Sequence, residues 1–465
     1  MGWQREQDKR LREFIKIIYH HHPYYHALMK KKGLKPEDFK KTSDLIKLPI
    51  TYKKDVLKDP KKFVLQPKKD ELKKTLGFKQ KIKGLVNPGA IREQLSMEYQ
   101  PTTFFSTSGR TGVPTPVFLT NYDLDKLKEY GVSDFINFAF RNAGIKKRVA
   151  QNTFPFAPHL AFWFSYIVAR HLPKTFFYSF GTGRTELQAD MIEKFKINIL
   201  TGMPFYLKHL SEVAKDKEIK SRVKLVLLGG EGVPEGMKER IKNNLKSIGP
   251  EPVVKMTYAS SEMKSVLMEC APSSGYHTHP ELHYWEVVDK ESLEPIGCDR
   301  PGVLVFSHLD SRGTVLLRYY TGDYVHKGIT NKTCPHCGSK KPRITSDIER
   351  LVDMDKGLTS KKIKGNLVSL KTIDEVLSKF KKLKQYRVVI TKKDPKDKLS
   401  MDELIIEAGI DKRVKNIKRV IQGIKNKFKA YTDITPIVKK VPSKEIYKKV
   451  MNTMKGVRVI DKRPT

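Results

Sequence analysis

The sequence predicts a layered α/β protein with a mainly parallel sheet, followed by a small α+β unit. Between Gly144 and Tyr258 short apolar runs alternate with amphipathic helical patterns, the order a parallel sheet requires. Past Arg350 the texture changes to two helical stripes and two strands within about 110 residues, the size of a compact domain. A chain of 465 residues with 39% hydrophobic residues and few low-complexity runs has room for a sizeable core and reads as globular, not disordered.

From the start, Arg10 to Leu57 reads as helical, with Leu11, Phe14, Ile15 and Ile18 spaced for one buried face. His20-His21-His22-Pro23 and His26 could be metal ligands. At a helix end among tyrosines they are read as capping and packing instead. Leu187, Met191 and Phe195 are expected to line one helix. Ile197 to Leu200 is strand-like and stops at Thr201-Gly202, Val223 to Leu228 is a second strand, and Met237, Ile241 and Leu245 stripe the next helix. In the last unit Ile373, Val376, Leu377 and Phe380 mark a helix, and Tyr386 to Thr391 and Leu404 to Glu407 mark strands. Val414, Ile417, Ile421 and Ile424 mark a second helix, and the boundary falls near Val352-Asp353.

The net charge is +39, with lysines spread over the whole length. That spread favours a solvated basic surface over a nucleic-acid groove, which would cluster its charge among aromatics. Anionic small molecules are attracted in either case. No apolar run is long enough to cross a bilayer and the start lacks an apolar signal core, so a soluble, cytoplasmic protein is expected. Four cysteines do not make a disulfide framework, but Cys334-Pro335-His336-Cys337-Gly338 is a C-x-x-C knuckle whose thiolates can share one zinc. A redox pair is disfavoured, because the knuckle follows a loop and does not open a helix after a strand.

Phe105 to Pro114 places three hydroxyl residues ahead of Gly109-Arg110-Thr111-Gly112, a supply of short donors and free backbone N–H groups suited to a triphosphate. It lacks the Gly-Lys-Ser/Thr ending of a Walker sequence, and alone it reads equally as a Ser/Gly turn. Gly229-Gly230-Glu231 follows a strand at the carboxyl edge of the sheet, where open α/β folds hold ligands. Tyr258, ending a strand, can stack on a purine, and Glu262 offers a hard oxygen to magnesium. Asp323, after Arg318-Tyr319-Tyr320-Thr321-Gly322, can accept ribose hydroxyls, and Arg350 follows at the domain joint.

These stretches occur in the order seen in the acyl-adenylate-forming enzymes. The whole chain resembles their phenylacetate-coenzyme A ligase branch, down to Leu34–Asp38 and Leu48–Asp55 near its start. The resemblance implies a large, multilayered N-terminal adenylation domain (1–352) and a small, mobile α+β domain (353–465). It assigns Ser106, Thr107, Ser108, Gly109, Arg110, Thr111, Gly112, Gly230, Glu231, Tyr258, Ser261, Asp323 and Arg350 to ATP and AMP, and Glu262 to Mg2+. Arg110 stands where the family has a small hydroxyl residue, and it either clamps the pyrophosphate or points to solvent. The family's catalytic lysine falls on Lys455, before Arg458-Val459-Ile460-Asp461, with Lys444 and Lys449 as alternatives. Glu269-Cys270 and Tyr276-His277 resemble the elements that complete a zinc site in part of the branch. That implies a structural Zn2+ on Cys270, His277, Cys334 and Cys337, with His279, Cys298 and His336 as substitutes. Phe154, Phe156 and Trp163 fall in the acid-binding region, as pocket walls or as core. The implied partners are a carboxylic acid, aromatic acids included, and coenzyme A, with no specific nucleic acid, no membrane and a homodimer allowed. Alternatives are transfer to a carrier-protein thiol or a coenzyme, and a non-catalytic relative that binds RNA or membrane.

Overall fold

The computed structural model describes residues 2–67, 88–107, 114–131, 134–156, 159–233, 235–345, 348–351, 360–363, 366–394, 397, 400–432, 434–451 and 458–463. Its centre is a nine-stranded sheet. Val253–Ser260, Leu225–Leu228, Ile199–Gly202, Arg148–Asn152 and Thr175–Ser179 lie side by side and run parallel, and Ser265–Glu269 continues the sheet antiparallel to Val253–Ser260. Because strand side chains alternate, each of these strands serves two layers. Leu200, Val226 and Leu228 face a core shared with the helices Thr185–Lys194, Pro204–Asp216 and Glu235–Lys246. Ala150, Ile199, Leu225 and Met268 face a separate cluster containing Phe135, Phe140, Val168 and Leu172 from the helices Asp134–Asn142 and Leu160–His171.

The N-terminal region is helical, in pieces: Gly2–His21, Pro23–Lys31 and Lys53–Lys58, with short 3-10 turns between. Leu11, Phe14, Ile15 and Ile18 are its buried stripe. Pro23 breaks the first helix and begins the second, where the His22 ring accepts from the Tyr25 N–H at 3.2 Å, so this histidine caps a helix. The Leu187 stripe is a correction. The helix Thr185–Lys194 buries Gln188, Ala189 and Ile192, while Leu187 is 37% exposed. Gln188 is drawn inward by polar partners, Gln151 and the carbonyls of Gly181 and Gly183, which an apolar-periodicity reading does not see.

A hairpin, Pro101–Ser106 with Pro116–Thr120, packs through Phe105, Val117 and Leu119 on the helices Asn121–Gly131 and Leu160–His171. Thr314 fixes it by exchanging hydrogen bonds with Phe118, and the buried carboxylate of Asp123 accepts from Ser311 Oγ, Arg312 N and Gly313 N and pairs with Lys264 at 3.1 Å. An antiparallel sheet of His283–Val288, Gly302–His308, Tyr319–Val325 and Ile348–Arg350 completes the large part.

The C-terminal part is a mixed sheet ordered Ile437–Lys440, Asp402–Ile410, Leu383–Lys392, Val459–Asp461, packed on the helices Leu370–Ser378 and Ile417–Thr432 around its own core. Val414 precedes the second helix, whose buried stripe is Val420, Ile424 and Phe428. The expected joint, Val352-Asp353, lies outside the described residues.

Candidate active site

The carboxyl ends of the parallel strands open into a cavity of about 1090 Å³. Its mouth is built by segments far apart in sequence: Thr107 from the hairpin, Gly229-Gly230 after a strand, Ala259 to Glu262, Tyr319 to Gly322, and Arg350. Gly230 has φ +90, a conformation glycine adopts without strain, and it brings backbone to the wall. Thr107 is held by two hydrogen bonds with Thr115: its N–H donates to the Thr115 carbonyl at 3.1 Å, and its hydroxyl accepts from the Thr115 N–H at 3.0 Å. Ser106 is the last residue of its strand, and His159 Nδ1 lies 2.9 Å from its carbonyl. Ser108, Gly109, Arg110, Thr111 and Gly112 lie outside the described residues.

Ser261 and Glu262 line the cavity, and the Tyr319 hydroxyl donates to Glu262 Oε1 at 3.2 Å. Asp323 sits directly behind the Thr321-Gly322 wall. Its Oδ2 accepts from the Tyr258 hydroxyl at 2.6 Å, and its Oδ1 pairs with Arg350 Nε at 2.9 Å, while Arg350 also donates to the Thr321 carbonyl. The Tyr258 ring packs toward Tyr276 and Trp285 and is not on the cavity wall among the described residues. Glu231 accepts from the Phe205 N–H at 3.3 Å, linking the glycine turn to the start of the helix Pro204–Asp216.

Of the three aromatic residues expected at the acid, the structure puts one on the wall. Phe154 is buried and lines the cavity. Phe156 is 64% exposed and covers Gly181, and Trp163 is 40% exposed and edge-on to Phe162. Trp163 faces away because the helix Leu160–His171 presents Leu160, Ala161, Phe164 and Val168 inward instead, and Phe156, ahead of that helix, packs on Phe162. Sequence reasoning also passed over Tyr52, Lys53 and Lys54, which reach the mouth because Thr51 bridges to Tyr319. Only this long-range pairing brings them there.

Cys270, His277, Cys334 and Cys337 converge with all four ligand atoms within 4.8 Å of one another. Cys270 Sγ lies 3.5 Å from Cys334 Sγ, and Cys337 Sγ lies 3.7 Å from His277 Nε2, edges that suit a tetrahedron with metal–ligand bonds of about 2.0 to 2.3 Å. Gly338 at φ +70 closes the knuckle, with its N–H on the Cys334 carbonyl. Arg343 pairs with His277 in the sheet, so the knuckle ties the segment after Tyr319–Val325 to the one after Glu262. These residues fit a zinc ion. His279, by contrast, turns to the Val266 carbonyl and Cys298 to Asn331.

Lys455 lies outside the described residues. Of its alternatives, Lys444 is exposed and Lys449 is paired with Glu445 at 2.6 Å. Arg458, three residues after Lys455, is buried. It donates to the Tyr386 hydroxyl at 2.8 Å and lies over the ring of Phe205 from the large part, 4.7 Å from its centroid. Tyr447 stacks on the same ring, with centroids 5.8 Å apart.

The fold and the convergent mouth define a nucleotide-type site on an α/β scaffold with a docked C-terminal unit. Two family models match the chain: AMP-binding enzyme over residues 36–320 and AMP-binding enzyme C-terminal domain over 369–463. The chain belongs to the AMP-binding enzyme family. It is 27% identical over 356 residues to a phenylacetate-coenzyme A ligase of Thermus thermophilus, covering 75% of this chain and 70% of the relative. A phenylacetate-coenzyme A ligase of Aromatoleum evansii is 24% identical over 466 residues, covering 98% and 94%. In fold it is similar to 2-hydroxyisobutyryl-CoA ligase in the postadenylation state, with TM-score 0.72, 19% identity and coverage of 98% of this chain and 88% of that one. Against the same ligase in the thioesterification state the TM-score is 0.60, with 20% identity and coverage of 99% and 90%.

Proposed function

We propose that the protein is an AMP-forming carboxylate ligase that joins an acid to coenzyme A through an acyl-adenylate. In the first half-reaction a carboxylate oxygen attacks the α-phosphorus of ATP and pyrophosphate leaves. In the second a thiol attacks the acyl carbon and AMP leaves. The observation that carries this reading is the single cavity shared by Thr107, Gly229-Gly230, Ser261-Glu262, Thr321-Gly322 and Arg350. Hydroxyl and backbone donors at one end of it suit phosphates, and the apolar interior suits an acid. Mg2+, when bound, would neutralise phosphate charge there, and Glu262, on the cavity wall, is the carboxylate that would hold it. Asp323 and Arg350 would fix the ribose. The zinc tetrad would brace the strands behind the site without entering the chemistry.

Lys455 would bring an ammonium to the charge that grows on the reacting oxygens. Three residues of chain reach about 10 Å, and Arg458 is anchored on Phe205, whose N–H binds Glu231 of the glycine turn. A lysine tethered three residues from that anchor would be carried toward the glycine turn. Rotation of the small domain about Val352-Asp353 would then withdraw the lysine and admit the thiol. Lys455→Ala should slow adenylation at least about a hundredfold while leaving thioester formation from a supplied acyl-adenylate. Equal adenylation by Lys455→Ala and wild type, with loss in Lys444→Ala, would move the role to Lys444.

A further inference from the structure

We infer that the acid taken by this site is an unbranched medium- or long-chain aliphatic acid, held extended along the face of the central sheet. The inference rests on the ligase reading and deepens it. The cavity does not end near the nucleotide mouth. It continues beneath the Leu160–His171 helix to Leu172, Arg148 and Thr175, at the opposite edge of the parallel strands.

Strand register gives its length. Asn152 pairs with Thr201 and Thr201 with Leu227, so Gly229 stands level with the residue two beyond Asn152, and Arg148 lies six residues lower. At about 3.3 Å per residue the channel is about 20 Å long, the reach of an extended fatty acid and several times that of a phenylacetate. Alternation puts Arg148 and Ala150, Ile199 and Thr201, and Leu227 and Gly229 on this one face, and all six line the cavity. Room exists because Ala150, at mid-strand, faces a helix that contributes Ala161, Ser165 and Ala169 at four-residue spacing. Larger side chains at these positions would fill the channel.

The chemistry of the wall is equally one-sided. Among the described residues of the deep half, Arg148 is the only charged side chain. Its guanidinium lies 4.5 Å over the centroid of the Phe140 ring and donates through Nη1 to the Pro173 carbonyl at 2.5 Å, while its buried Nε has no hydrogen-bond partner among the described residues. It stands on the cavity wall at the amino end of its strand, where the far end of a long acid would arrive. Phe164, Val168 and Phe177 supply the apolar sides.

The test measures kcat/KM for acid-dependent AMP formation with hexanoate, decanoate, palmitate and phenylacetate. It uses the wild type, Ala150→Phe and, from the helix side, Ala169→Leu. Wild-type kcat/KM should rise about tenfold for each added pair of methylenes until the channel is full, with decanoate ahead of phenylacetate. Each variant should lower the decanoate-to-hexanoate ratio at least tenfold. That ratio does not depend on how much of a preparation is folded. Phenylacetate turned over better than decanoate, or a ratio unchanged in both variants, would overturn the inference and leave the ligase reading standing. AMP formation with no acid would overturn both.

Discussion

Both carboxylate oxygens of Asp323 are engaged, one by the Tyr258 hydroxyl at 2.6 Å and the other by Arg350 at 2.9 Å. The carboxylate is thereby fixed in orientation, and its removal would strand a buried hydroxyl and free the guanidinium that spans to Thr321. Asp323→Ala should raise the KM for ATP at least about tenfold, with Asp323→Asn retaining part of the loss-free behaviour, read from initial rates at saturating acid. A KM within twofold of wild type in Asp323→Ala would remove Asp323 from the nucleotide site. Asp323 stood out in the sequence only through its place after Arg318-Tyr319-Tyr320-Thr321-Gly322, since a lone carboxylate is more often a surface charge; in the structure it lies within the strand Tyr319–Val325 and pairs with Arg350. Side-chain direction was not legible: Tyr258 turns from the cavity to Asp323, and Phe156 and Trp163 face out. Rotamers answer to neighbours that only the folded chain supplies.

At the scale of elements, the knuckle Cys334–Cys337 was readable from spacing alone, and its partners Cys270 and His277 came through likeness to relatives. What joins them is the antiparallel pairing of Tyr276-His277 with Arg343-Ile344. Purified protein should contain about one zinc per chain by elemental analysis, and Cys334→Ser or His277→Ala should reduce it to near zero. Metal-free wild type, after preparation without chelator, would exclude the site.

The helix Pro204–Asp216 offers a different test, because it carries Lys208 into the contact between the two parts. Lys208 is buried, 3.0 Å from Glu212, and donates to the Lys384 carbonyl at 2.6 Å. Burial is the largest influence and pulls its pKa down to about 7, with Glu212 offsetting part of the shift. Between about pH 7 and the unfolded value near 10.5 the unfolded chain holds the extra proton, so this group's contribution to stability rises with pH across that window and is flat below it. Lys208→Met should abolish that slope, so that the Tm of the variant minus that of wild type falls steadily as pH rises above about 7. A difference independent of pH would show Lys208 to titrate normally. No apolar pattern could have signalled this lysine, since its burial comes from docking and not from its own helix.

Across the whole molecule, the alternation of strand and helix from Gly144 to Tyr258 and the change of texture past Arg350 sufficed for the architecture. The cavity did not follow from either, because its depth depends on strand register and on which helix faces meet Ala150. The +39 charge is spread over the chain and adds attraction for nucleotide and coenzyme without choosing between them. Distant segments would thus converge on one bound ATP together with an acid. The most direct measurement of that convergence is isotope exchange between pyrophosphate and ATP, with Mg2+ present, across a series of acids and without coenzyme A. Exchange should require the acid, saturate with it, and fall at least about tenfold in Asp323→Ala. No exchange with any acid, or exchange indifferent to the acid, would contradict the convergence.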